Sequence, residues 1–109
     1  MDEKTSILIV DDDPNLRDTL SDILEEKGYR VVAAPNGPAA IQEVKGQQFN
    51  IALIDIVMPG VNGVETLREI KAAAPQMTTV VITGQSAVEG LVSEALEAGA
   101  DGVLHKPLD

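Results

Sequence analysis

Five short apolar runs punctuate the chain, separated by segments whose apolar residues recur at helical spacing. Ile7-Leu8-Ile9-Val10 is a continuous apolar tetrad that stops at Asp11. Val31-Val32-Ala33-Ala34, Ile51-Ala52-Leu53-Ile54, Val80-Val81-Ile82 and Gly102-Val103-Leu104 follow in turn. Continuous apolarity predicts strands buried on both faces, as in a parallel sheet, whereas alternation would predict one solvated face.

The intervening segments read as four helices. Asp13 is a good N-cap and Pro14 suits the first turn; Leu16, Leu20, Ile23 and Leu24 then form one stripe, closed by Gly28. A second helix begins at Pro38, after an Asn36-Gly37 turn, with Ile41 and Val44 facing inward. The third carries Val64, Leu67 and Ile70 and ends before Pro75. The fourth carries Val88, Leu91, Val92, Ala95 and Leu96, closed by Gly99. All four stripes are expected to be core. The alternation is βαβαβαβαβ with short loops, hence an α/β domain with right-handed crossovers.

Composition narrows the picture. A length of 109 residues is room for one domain, expected to span residues 1–109. Its core must be aliphatic, because Tyr29 and Phe49 are the only aromatic residues. The absence of cysteine removes disulfides, thiolate chemistry and cysteine zinc sites together. The start, Met1-Asp2-Glu3-Lys4, lacks a signal-peptide pattern, and no apolar run approaches the roughly 20 residues that span a bilayer. A soluble cytoplasmic protein is expected. The net charge of −10, from 18 acidic and 8 basic residues, repels nucleic-acid phosphates and anionic lipids. Direct binding to nucleic acid or to a membrane is therefore not expected.

In an open parallel sheet, ligands bind beyond the carboxyl ends of the strands. Directly after the apolar runs come Asp11, Asp12 and Asp13, then Asp55, then Thr83 and Gly84, then Lys106. Taken singly, each has a structural explanation, and Asp13 is expected only to cap its helix. Together they bring acid, hydroxyl and ammonium to one sheet edge. Clustered carboxylates repel and call for a compensating cation, and oxygen donors suit Mg²⁺. With no cysteine and only His105 available, zinc and copper are disfavoured. Aspartate can also attack phosphorus to form an acyl phosphate, with ammonium and metal stabilising the transferring oxygens.

The strings Ile7-Leu8-Ile9-Val10-Asp11-Asp12-Asp13, Leu53-Ile54-Asp55-Ile56-Val57-Met58-Pro59-Gly60-Val61-Asn62-Gly63, Val81-Ile82-Thr83-Gly84 and Lys106-Pro107 occur in this order. They resemble the receiver domain of two-component response regulators, from about Thr5 to the end of the chain. The resemblance implies a flavodoxin-like, doubly wound five-stranded parallel sheet of strand order 2-1-3-4-5. It implies that Asp55 is the phosphoacceptor, served by a histidine kinase or a histidine phosphotransfer protein. Asp12 would bind Mg²⁺ (or Mn²⁺) directly and Asp11 through a water, with the Val57 carbonyl and Asp55 completing the protein donors. Lys106 would pair with the phosphoryl oxygens and be followed by a cis peptide to Pro107. Thr83 would turn its hydroxyl onto the phosphoryl group, with Gly84 allowing close approach. Such a domain is a switch that assists its own phosphoryl transfer and loss, not an enzyme with a separate substrate. It would signal through the fourth helix and fifth strand to an output domain or effector whose identity the sequence leaves open.

Two features depart from the family pattern. Val103 stands where an aromatic residue commonly reports the switch, so signalling is expected to use backbone and helix movement. No fifth helix follows the fifth strand, so it is expected to be absent or unrecorded, leaving part of the first-helix face of the sheet open to association such as homodimerisation. His105 is expected to be packed or solvated. The main rival is a haloacid-dehalogenase-like phosphatase with Asp11 as nucleophile and Asp13 as acid/base, which leaves Asp55 and Met58-Pro59 without a role. Nucleotide binding is disfavoured because neither glycine-rich phosphate loop is present.

Overall fold

In a computed structural model describing residues 5–58, 61–84 and 89–105, all five apolar runs form strands. The order along the chain is β1 (Ser6–Val10), α1 (Pro14–Glu26), β2 (Arg30–Ala34), α2 (Gly37–Gly46), β3 (Ile51–Asp55), β4 (Val57–Met58), β5 (Val61–Asn62), α3 (Gly63–Ala73), β6 (Thr78–Thr83), α4 (Glu89–Glu97) and β7 (Gly102–His105). The main sheet is parallel throughout, in the order β2-β1-β3-β6-β7. Counting its five strands alone, that is 2-1-3-4-5, the expected flavodoxin-like winding. The added β4–β5 pair is a two-residue antiparallel ladder, Val57 opposite Asn62 and Met58 opposite Val61. No strand was expected there.

Local chemistry sets the helix starts. Asp13 caps α1 by accepting from the Asn15 N–H at 2.9 Å, and Asn36 caps α2 by accepting from the Ala39 N–H at 2.8 Å. Asn36 is thus more than a turn residue, and α2 begins at Gly37, one residue earlier than expected. Gly28 ends α1 at φ +97° and Gly99 follows α4 at φ +106°, both in the left-handed region. Val88, expected to start the fourth stripe, lies outside the described residues.

The two sheet faces differ. Leu8, Val10, Ala52, Ile54 and Val81 point to the side covered by α2, α3 and α4, where Ala40, Val64, Leu67, Ile70 and Ala95 meet them in one buried cluster. On the other face Ile7, Ile9 and Ile82 are buried, but Leu53 and Val80 are only half-buried and Leu104 is exposed. Two expectations need correction. The α1 stripe is not core: none of its residues is buried and Ile23 is 41% exposed, and among the described elements α1 packs chiefly against β2 and β1. Leu96 is 51% exposed as well, since α4 packs against α3 through its Leu91, Val92 and Ala95 side.

The end of the sheet remote from the acidic residues is tied by a carboxylate that the sequence reading did not single out. Asp101 Oδ2 accepts from the Thr79 N–H at 2.9 Å and from the Thr79 hydroxyl and the Lys71 ammonium, each at 3.3 Å. These bonds, the Thr79 N–H first and the Lys71 ammonium next, hold its carboxyl below the ordinary 3.8. A depressed folded pKa contributes stability above the unfolded value, and that contribution is lost as pH falls through the folded one. Asp101→Ala is therefore expected to lower stability in urea titrations at neutral pH. The gap to wild type should close below about pH 3.8, and a gap that persists in acid would show that the carboxylate charge is not its source.

Candidate functional site

The carboxyl ends of β1 and β3 lie side by side, because the Val10↔Ile54 register sets the next residues, Asp11 and Asp55, at the same level. Both are nearly closed to solvent, Asp11 at 0% and Asp55 at 3% exposure, while Asp12 is exposed at the rim. Oxygen atoms of these three carboxylates lie within 4.8 Å of one another. Two unit charges at that separation repel by about 3 kcal/mol at an effective dielectric near 20. An all-oxygen donor set with one open, exposed member suits a hard divalent cation that keeps some of its water. The residues present therefore fit Mg²⁺ or Mn²⁺.

The β1–α1 turn is held by several bonds. The Asp11 N–H donates to the Ala34 carbonyl at 3.2 Å, and the Asp13 N–H donates to Asp11 Oδ1 at 2.9 Å. Arg17, on the first turns of α1, donates from Nη1 to the Asp11 carbonyl at 2.8 Å. Asp13 faces its own helix and is not among the clustered carboxylates, so the acid/base role that the phosphatase reading requires has no geometry here.

Thr83 ends β6 beside the same edge. It is 1% exposed, and its hydroxyl donates to the Gly84 carbonyl at 3.3 Å. Among the described residues, a Cβ at Gly84 would meet nothing within 4 Å. Val57 follows Asp55 by two residues and begins β4. Gly63 closes the loop by donating its N–H to the Ile56 carbonyl at 3.3 Å. Lys106 and Pro107 lie outside the described residues. The structure thus brings Asp11, Asp12 and Asp55 together and sets Thr83 and Gly84 on the neighbouring strand end. Val103 is half-buried against the core, and His105 is exposed.

The sequence matches the family described as Response regulator receiver domain over residues 7–109. The chain belongs to that family. Receiver domains are signalling switch domains of two-component systems and bind Mg²⁺ through an acidic cluster; in this chain Asp11, Asp12 and Asp55 lie close together. Transcriptional regulatory protein ZraR of Klebsiella oxytoca is 42% identical over 107 residues, which are 98% of this chain but 24% of that protein. Among solved structures, a CheY-like receiver domain protein from Methanospirillum hungatei JF-1 superposes with a TM-score of 0.93 at 34% identity, covering 98% of this chain and 85% of that one. A Burkholderia pseudomallei response regulator, solved with a phosphorylated aspartic acid, a calcium ion and citrate, superposes with a TM-score of 0.90 at 25% identity, covering 97% of this chain and 62% of that one. Among the described residues, no helix of this receiver domain is long and apolar enough to cross a membrane.

Sequence reasoning passed over Arg17. The signal was present, because a cation early in a helix opposes the helix dipole and so asks for a partner elsewhere.

Proposed function

We propose that this receiver domain takes a phosphoryl group on Asp55 in a reaction that requires a divalent cation. The observation that carries the reading is the gathering of Asp11, Asp12 and Asp55 within 4.8 Å at the carboxyl edge of the sheet. In the reaction a carboxylate oxygen of Asp55 bonds to phosphorus as the P–N bond of a phosphohistidine breaks, and the departing imidazole nitrogen is protonated. Asp11, Asp12, Asp55 and the Val57 carbonyl are the groups that would hold Mg²⁺ or Mn²⁺. When bound, the cation supplies positive charge beside the phosphoryl oxygens. Burial of Asp55 limits the access of water to the acyl phosphate once formed.

Lys106 is proposed to pair with the phosphoryl oxygens. The Thr83 hydroxyl would exchange its bond to the Gly84 carbonyl for one to the phosphoryl group. The new charge, about −1.5 to −2, and that exchanged bond would bias the region of α4 and β7 between two arrangements. With Val103 in place of an aromatic ring, the bias is carried by backbone and helix position. The phosphodonor is a histidine kinase or histidine phosphotransfer protein in the cytoplasm. The reader is an output domain or a separate effector. A transcription-regulating output is one candidate, by analogy with the Klebsiella oxytoca relative, of which this chain spans 24%.

Incubation with acetyl phosphate, followed by intact-mass measurement, tests this. Wild type is expected to gain one phosphoryl group with MgCl₂ and none with EDTA, and Asp55→Ala none in either. A gain that survives EDTA or the substitution would overturn the proposal.

A further inference from the structure

The Asp11 carbonyl sits one residue beyond the end of the β1 ladder, where neither neighbouring strand continues to pair: the registers with β2 and β3 both stop at Val10. The bond it accepts comes instead from the α1 side chain of Arg17, at 2.8 Å. That placement is unfavourable for α1 taken alone. Arg17 is the fourth residue of a helix whose first turn carries no acidic side chain, and a cation near a helix N-terminus opposes the dipole. Among the described residues its guanidinium forms no ion pair with a carboxylate within 4.0 Å, although Asp11, whose carbonyl it holds, is one of three clustered carboxylates. Its bond to the Asp11 carbonyl fixes main chain.

We propose that Arg17 is a positioning residue for the cation site, clamping the Asp11 peptide so that the Asp11 and Asp12 carboxylates face Asp55. The inference rests on the cation-binding reading above. The peptide that Arg17 grips joins Asp11 to Asp12, so its orientation governs where both carboxylates project. The Asp13 N–H to Asp11 Oδ1 bond fixes the same turn from the other side, while Arg17 holds the carbonyl side of the Asp11–Asp12 peptide. Groups that orient metal ligands without touching the metal commonly change affinity about 10–100-fold when removed.

The sign of the effect separates positioning from charge. Removing a positive group beside a cation site tightens cation binding if charge alone matters, whereas loss of a clamp weakens it. Isothermal titration with MgCl₂ at fixed ionic strength, on the unphosphorylated protein, reads this directly. Arg17→Ala is expected to raise the Mg²⁺ Kd by about 10-fold, with its thermal midpoint in EDTA close to wild type. Arg68→Ala removes the same charge from the exposed face of α3 and should leave the Kd unchanged. Arg17→Lys keeps the charge but not the planar donor and should recover only part of the affinity. A Kd for Arg17→Ala equal to or tighter than wild type would overturn the proposal. If Arg17→Ala does not fold, a folded Arg17→Lys with wild-type affinity would overturn it equally. Wild type that takes up no Mg²⁺ would overturn the cation reading itself, and with it this one.

Discussion

Gly63→Ala is expected to destabilise the domain by about 3 kcal/mol or more and to slow phosphoryl uptake with it. A Cβ on Gly63 would fall 2.5 Å from the Asp55 carbonyl oxygen and closer still to the Ile56 Cα. Both neighbours are main-chain atoms, so no side chain can swing away to make room. The main chain of β3 at Asp55, or the start of α3, has to move. Ile56 is 1% exposed, and Val64, Leu67 and Ile70 on the same helix are fully buried, so movement there also disturbs the core. Urea unfolding gives the stability, and the rate of mass gain with acetyl phosphate gives the function. A variant within about 1 kcal/mol of wild type would show that the loop yields more easily than this packing implies. By contrast, a Cβ on Gly37 would meet the Thr66 hydroxyl, a side-chain atom that can rotate, and a smaller loss is expected there.

Asp12→Ala is expected to raise the Mg²⁺ concentration for half-maximal uptake by at least 10–100-fold, about the loss seen when a group merely supporting a ligand is removed. Asp12 is exposed, so the fold should tolerate the change and the circular dichroism spectrum should match wild type. Rate against Mg²⁺ concentration is the measurement. The affinity should fall while uptake at saturating Mg²⁺ largely recovers, because Asp55 and Asp11 remain. An unchanged Mg²⁺ dependence would remove Asp12 from the site.

The parts of the fold legible in the sequence were those fixed by local pattern. Ile7–Val10 and Ile51–Ile54 read as buried strands because they are apolar throughout, and acid placed directly after such a run marks the sheet edge. That pattern alone is enough to place Asp11 and Asp55 at the edge. The β4–β5 pair was illegible because two residues per strand carry no period. The α1 stripe was legible as a stripe, but the burial of Ile23 depends on what covers the neighbouring strands, which periodicity does not encode. Asp101 gave no signal, since its partners Thr79 and Lys71 stand 22 and 30 residues away. Arg17 bonds a main-chain carbonyl, an acceptor that every residue possesses and no motif marks.

The central claim is that the phosphoryl group is held as an acyl phosphate on Asp55, and reductive trapping tests it most directly. Sodium borohydride reduces an aspartyl phosphate to homoserine and leaves a free carboxylate untouched. Protein treated with acetyl phosphate and MgCl₂, then borohydride, is digested and sequenced by mass spectrometry. Homoserine at position 55, absent when MgCl₂ is replaced by EDTA, is the predicted result. Homoserine at position 11 or 12, or a phosphoryl group that stays attached through borohydride, would contradict the account.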